Sequence, residues 1–221
     1  MTLPEIVTMF RTENPEITDR VITDILLKQW AKIGDKEICA ITRCIVNDTT
    51  FDSVATTSAY NTRYDLTSEI SKFYDIDDYP GGGVSFDDDP LEKTTIAELD
   101  QLTPSWRTRT AGTPKKYYRR GQYLYFDRPI ETAALEIKVY AILISNDFTG
   151  DSQQPYNELT YLEPFHYGIN KYLQWKVKEK VGKPNEGQVA RQSFLDYAVW
   201  MKKQIGGGKY SPIYYEKKVN T

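Results

Sequence analysis

Histidine occurs once in this chain, cysteine twice and methionine three times, and each scarcity removes a class of function. With His166 alone there is no two-histidine metal site, and any Ser-His-Asp or Cys-His arrangement would have to centre on that one ring. His166 also falls inside an apolar helical stripe, where a packed, hydrogen-bonded histidine is the expectation. Cys39 and Cys44 are five positions apart. On a helix that offset points them to different faces, so they are expected as separate, buried free thiols of a reducing compartment. The spacing is not that of zinc ligands. No stretch of about 18 apolar residues is present. Met1-Thr2-Leu3-Pro4-Glu5 lacks the basic, apolar pattern of a secretory signal. A cytosolic chain is therefore expected, and the sequon Asn47-Asp48-Thr49 is read as chance. There is no Gly-x-Ser-x-Gly elbow. Gly206-Gly207-Gly208-Lys209 is no phosphate loop: the first glycine of that motif would fall on Lys203, Tyr210 replaces the magnesium-binding hydroxyl, and the run follows a helix instead of preceding one. No catalytic residue, metal or cofactor is implied.

What the chain has is aromatic and turn-forming. Its 221 residues include 17 tyrosines, and aromatics reach 13%. Tyr combines apolar area with a polar tip, which suits half-buried cores and interfaces alike. The length allows one large domain or two small ones. Net charge is −3, but residues 1–110 hold 11 basic and 20 acidic side chains and residues 111–221 hold 17 and 11. Oppositely charged halves suit stacking on copies of the same chain or docking between unlike partners.

Along the chain, Leu3 to Phe10 reads as a first helix, broken by Asn14-Pro15. A helical stripe follows through Val21, Ile22, Ile25, Leu26, Trp30 and Ile33, open to interruption at Gly34-Asp35, and resumes at Ile38, Ile41 and Ile45. Phe51, Val54, Tyr60 and Tyr64 read as a strand pair, and 70–74 as another strand. Residues 75–90 read as an acidic loop around Pro80-Gly81-Gly82-Gly83. Thr94 or Thr95 with Glu98 forms a capping box before Ile96, Leu99 and Leu102. Three strands are expected next: 106–110, then the hairpin 115–119 and 122–127 around Arg120-Gly121. Leu135, Ile137 and Val139 alternate with polar residues as one further strand. Leu162, Phe165, Ile169, Tyr172, Leu173 and Val177 form a helical stripe ending near Gly182-Lys183-Pro184. Ala190, Phe194, Tyr197, Ala198, Met201 and Ile205 form the last. Leu195, Val199 and Trp200 lie off that last stripe, so this helix needs a second surface to pack against. The expected class is α+β. N-terminal helices (1–49) and C-terminal helices (151–205) make a bundle, an antiparallel β domain (50–150) is inserted between them, and an extended tail (206–221) follows. Tyr210, Ile213, Tyr214 and Tyr215 make that tail a segment expected to order on a partner.

The acidic residues Asp75, Asp77, Asp78, Asp87, Asp88 and Asp89 do not fit a calcium loop, since Tyr79 takes a ligand place and Pro80 stands where Gly is required. A solvated loop is the expectation. Facing a channel, Asp77, Asp78, Asp87, Asp88 and Asp89 would let DNA pass without sticking. Arg107, Arg109, Lys115, Lys116, Arg119 and Arg120 cluster with Trp106, Tyr117 and Tyr118 in a composition like that of a nucleic-acid surface. In an acidic chain, a contact to an acidic protein neighbour is the better use.

The order of these features resembles the head-to-tail adaptor (connector or ring) proteins of tailed bacteriophages. The resemblance rests on Tyr64-Asp65-Leu66, Glu98-Leu99-Asp100 before Trp106, Gly112-Thr113-Pro114, Tyr117-Tyr118, Gly121, Phe126 to Pro129, and Pro164-Phe165-His166, within about residues 15–205. It implies a helical bundle with an inserted β domain, assembled as a homo-oligomeric ring of about twelve copies. That ring would sit in the virion between the portal and the tail or a second ring, with DNA only as passing cargo and no membrane. It further implies that the C-terminal segment reaches the portal or a neighbouring subunit; here that is Lys209 to Thr221. Leu195, Val199, Trp200, Arg119 and Arg120 are then the candidate oligomer contacts. Two other readings compete: a carbohydrate-binding module using the aromatics of Tyr117 to Phe126, and a carboxylate-based hydrolase.

Overall fold

A computed structural model describes residues 1–56, 63–77, 83–102, 105–146 and 152–205. The chain divides into two compact units, one of residues 1–45 with 144–221, the other of residues 46–143. The class is mixed α and β, with six α-helices and two sheets among the described residues.

The first unit is helical. Helix α1 (Leu3–Glu13) begins with Pro4 in its first turn and a Thr2–Glu5 capping box. It buries Leu3, Ile6, Val7 and Phe10. The stripe expected from Ile17 does not start a helix there. Arg11 gathers residues 14–23 instead: its guanidinium bonds the carbonyls of Ile17 and Ile22 and the carboxylate of Asp24 at 2.7 Å. Those carbonyls are thereby held outside a helical ladder. Helix α2 (Asp24–Thr42) starts only at the Thr23 cap, whose hydroxyl accepts from the Leu26 amide at 3.3 Å.

α2 runs unbroken through Gly34. A Cβ there would meet the Tyr172 ring at 2.8 Å, so glycine permits close approach to helix α5 (Tyr167–Lys180). The buried face of α2 is Leu27, Ala31, Gly34, Asp35, Ile38, Cys39 and Thr42. The expected stripe residues Val21, Ile25 and Ile33 are exposed instead, Ile25 at 71%. Ile45 belongs to a strand and does not resume the helix. The sequence 160–165 forms a 3-10 turn before α5, and helix α6 (Pro184–Ile205) follows Gly182, whose φ is +75°. Tyr172, Trp175 and Phe194 pack as an aromatic cluster where α5 meets α6, with centroids 5.2 to 5.8 Å apart.

The second unit holds both sheets. In the first, β9 (Glu136–Leu143) is central. It pairs with β1 (Ile45–Asp52), and along its other side with β3 (Phe73–Ile76) and β4 (Val84–Phe86); β5 (Asp89–Pro90) closes the edge. The second sheet runs β2 (Arg63–Asp65), β8 (Tyr123–Phe126), β7 (Lys116–Arg120), β6 (Glu92–Lys93). β6 and β7 pair in parallel, so the β unit is not wholly antiparallel. The strand pair expected within 50–66 is instead one strand in each sheet. The stretch expected as a strand from Trp106 is a 3-10 turn over Trp106–Thr108.

The acidic segment also departs from the loop expected over 75–90. Val84 and Phe86 are buried β4 residues, and Asp87 and Asp88 form the turn between β4 and β5 with φ of +50° and +64°. Two positive φ angles match the twist of a tight hairpin, and Asp tolerates them.

Alternation on β7 and β8 splits the unit's interior. Tyr117, Leu124 and Phe126 enter the main core with Val84, Phe86, Ile137 and Val139. Tyr118 faces the other way, onto Trp106 and Leu99 of α4 (Ile96–Leu102), with Tyr125 stacked on it at 4.8 Å. The α4 start is the expected box: the Glu98 carboxylate accepts from the Thr95 amide at 2.8 Å, and the Thr95 hydroxyl accepts from the Glu98 amide at 3.2 Å.

Candidate functional site

Buried titratable groups concentrate in the helical unit. Asp35 is fully buried, and one of its carboxylate oxygens accepts the Tyr156 amide at 3.0 Å. Tyr156 is buried too and donates its hydroxyl to the Phe165 carbonyl at 3.2 Å; burial pushes its hydroxyl pKa well up. Tyr156, Asn157 and Glu158 all have φ near +60°, a turn shaped to aim the Tyr156 amide at Asp35.

His166 is 1% exposed. One ring nitrogen meets the Met1 amine at 2.6 Å, and the ring packs on Tyr156. Burial first, and the neighbouring ammonium second, lower its pKa to about 4. It is therefore neutral at pH 7 and accepts a hydrogen bond from the Met1 amine.

The cysteines correct the expectation of separate thiols. α2 ends at Thr42, and Arg43 adopts a left-handed conformation (φ +56°) with its amide bonded to the Cys39 carbonyl. That turn swings Cys44 back over the helix end, and the two sulfurs lie 3.8 Å apart. Both thiols are free and buried, as expected. The hydrogen bond between them, reinforced by burial, holds Cys39 well above the ordinary thiol range; the same bond holds Cys44 below that range, against the opposing effect of burial. The signal missed in the sequence was the helix end, since Cys44 was read as helical.

The β unit carries a cleft of about 580 Å³ lined by Asp75, Lys93, Thr95, Tyr118, Arg119 and Arg120, among others. Arg119 is engaged within it. Its guanidinium pairs with Asp75, bonds the Gly121 carbonyl at 2.6 Å and lies over the Phe73 ring. Arg120 is exposed at the β7 end. The aromatics proposed as a sugar platform are largely interior: Tyr117, Tyr118 and Phe126 are at most 5% exposed. A carbohydrate module has lost most of its stacking surface there. The basic cluster is mostly paired as well. Arg107 binds Asp100 at 2.5 Å, Arg109 binds Asp127 at 3.1 Å, and Lys116 binds Glu92 at 2.8 Å.

Of the expected docking residues, Leu195 and Val199 are half-buried on α6. Trp200 is 47% exposed and packs one edge on Phe165 and Tyr197. Asp77, Asp87, Asp88 and Asp89 lie in the β unit, the last three around the β4–β5 turn. Asp78, Tyr210, Ile213, Tyr214 and Tyr215 lie outside the described residues. Among the described residues no helix is long and apolar enough to cross a membrane, and no group of three or more acidic, His or Cys side chains could hold a metal.

The fold and its surfaces define an α+β protein with buried polar supports and several exposed apolar side chains. A family model described as SU10 adaptor protein matches residues 1–202, and the chain belongs to that family. This agrees with the tailed-phage head-to-tail adaptor that the motif order resembles, and makes the chain a structural phage adaptor that associates with other virion proteins. No curated protein matches it.

Proposed function

We propose that this adaptor forms a homo-oligomeric ring of about twelve copies between the portal and the tail or a second ring. The family match over residues 1–202 carries this reading. A ring contact is heterologous: one surface of a subunit meets a different surface of the next. The helical unit, read as a bundle, offers two apolar exposures. One is Trp200 with the half-buried Leu195 and Val199 on α6. The other is Val21, Ile25 and Ile33, ahead of and along α2. Exposed apolar side chains that cluster into a patch mark contacts with other proteins, and these two groups are read in that way. Arg120, with what Arg119 leaves free, supplies a cationic contact to the next subunit. Asp77, Asp78, Asp87, Asp88 and Asp89 face the channel, where like charge keeps passing DNA from adhering. The tail, through Tyr210, Ile213, Tyr214 and Tyr215, docks on the portal.

The test is the mass of the protein alone and mixed with the portal of its own phage, by native mass spectrometry. A chain cut after Gly206 should lose portal binding while its helical content is unchanged. Normal binding by the shortened chain removes the tail from the proposal. No complex with full-length protein removes the portal itself.

A further inference from the structure

We propose that Cys39 and Cys44 are a peroxide-oxidisable dithiol that closes to an intrachain disulfide. The sulfurs sit 3.8 Å apart, held there by the left-handed turn at Arg43. The amide of Ser145 bonds Cys39, and the Tyr161 hydroxyl bonds the Cys44 carbonyl at 2.8 Å. Neither sulfur needs to cross a helix to reach the other. Closure requires a further approach that the short, non-helical link at Arg43 can supply. Both are nearly shielded from water, Cys39 at 0% and Cys44 at 3% exposure. A water-sized oxidant therefore fits the site better than a bulky disulfide reagent.

In the dithiol the Cys44 S–H donates to the Cys39 sulfur. Cys44 is the more exposed of the two, at 3% against 0%, and its pKa is the lowered one, so Cys44, once deprotonated, is the nucleophile. Its sulfur attacks one peroxide oxygen and the O–O bond breaks. The leaving hydroxide takes a proton and departs as water, and Cys44 becomes a sulfenic acid. The Cys39 sulfur then attacks the Cys44 sulfur. The S–S bond forms, the S–O bond breaks, and the second oxygen leaves as water with the Cys39 proton. Two thiols lose two electrons, which the peroxide gains. The bond ties the last turn of α2 to the chain leaving it. A virion protein made in a reducing cell and released into an oxidising medium meets the conditions for this change. That setting rests on the adaptor reading, whereas the chemistry rests on the helical unit alone.

The experiment exposes the reduced, full-length protein to hydrogen peroxide, quenches it, alkylates free thiols in denaturant and maps the peptides by mass spectrometry. The two alkylation sites should disappear together as a Cys39–Cys44 linked peptide within one chain. Cys39→Ser should stop at a sulfenic acid on Cys44 that dimedone traps. Cys44→Ser should leave Cys39 far slower to react. Full alkylation of both cysteines after peroxide, links between chains, or sulfonic acid on Cys44 with Cys39 still a free thiol would each overturn the proposal. None of these readouts involves a portal, so failure of the adaptor reading leaves them intact.

Discussion

Gly34 shows how one residue reads differently in sequence and in structure. In the sequence it is a candidate helix breaker, because glycine is less favourable than alanine in a helix by about 1 kcal/mol. In the fold it is a contact. Replacing it with alanine should stabilise the protein if only helix propensity mattered. The Cβ would instead lie 2.8 Å from the base of the Tyr172 ring, where rotation of the ring gives no relief. Gly34→Ala should therefore lower the urea midpoint, at unchanged slope, by a destabilisation of about 1–3 kcal/mol. An unchanged or raised midpoint would show that α2 and α5 do not approach this closely. His166 was legible as a packed, hydrogen-bonded histidine, although it sits in the turn before α5 and not within a helix; its partner was not legible, because Met1 is 165 positions away. Its folded pKa of about 4 lies below the unfolded value. Between pH 6.5 and 4 the unfolded chain thus binds more protons, and stability falls as pH falls through that window. The loss should be on the order of 2–3 kcal/mol by pH 4. His166→Asn should show a shallower dependence than the parent when urea unfolding is compared at pH 7 and pH 4.5.

Elements were legible where one periodicity and one punctuation agreed. The hairpin of β7 and β8, the strand β9, the Thr95–Glu98 box and the stripes of α5 and α6 rest on such agreement. α2 was misread because its outward side is also apolar: Ile25 and Ile33 keep helical spacing as well as Leu27, Ala31 and Ile38 do. Spacing alone does not say which side meets the core. The β4–β5 hairpin was hidden by its acidic composition, although Val84 and Phe86 alternate correctly. Asp127 was equally invisible. It looks like a surface aspartate after a strand, yet its side chain is 3% exposed. It accepts the Lys115 and Lys116 amides at 2.9 and 3.1 Å and the Arg109 guanidinium at 3.1 Å. It thereby pins the chain entering β7 to the end of β8. Asp127→Ala strands two amides and a guanidinium, and should destabilise by about 2–4 kcal/mol. Asp127→Asn keeps an acceptor for the amides and should lose less. Equal loss in both variants would mean that the amide contacts contribute nothing.

At the scale of the whole molecule the question is whether copies meet through unlike surfaces. The candidate contact read from the sequence, Leu195, Val199 and Trp200, is only one of the two surfaces that a closed ring requires. The proposed counterpart, the exposed Ile25 and Ile33, was not legible, because their helical spacing does not say which side of α2 meets the core. Charged substitutions separate the two. Trp200→Asp and Ile33→Asp replace side chains that are 47% and 46% exposed, so each should leave the unfolding midpoint within about 0.5–1 kcal/mol of the parent. In a head-to-tail ring each variant keeps one working surface and has nothing of its own kind to bind with it. Each alone should then stay monomeric under conditions where the parent assembles. Mixed together, the intact α2 side of Trp200→Asp can meet the intact α6 side of Ile33→Asp, and growth stops after one contact. Native mass spectrometry of the mixture should show heterodimers and no larger species. Homodimers of either variant would point to a two-fold contact through like surfaces. A mixture that stays wholly monomeric would show that α2 and α6 are not the paired surfaces. Assembly of both variants into full-sized rings would place the subunit contact elsewhere on the chain, with the β unit and its exposed Arg120 as the next surface to alter.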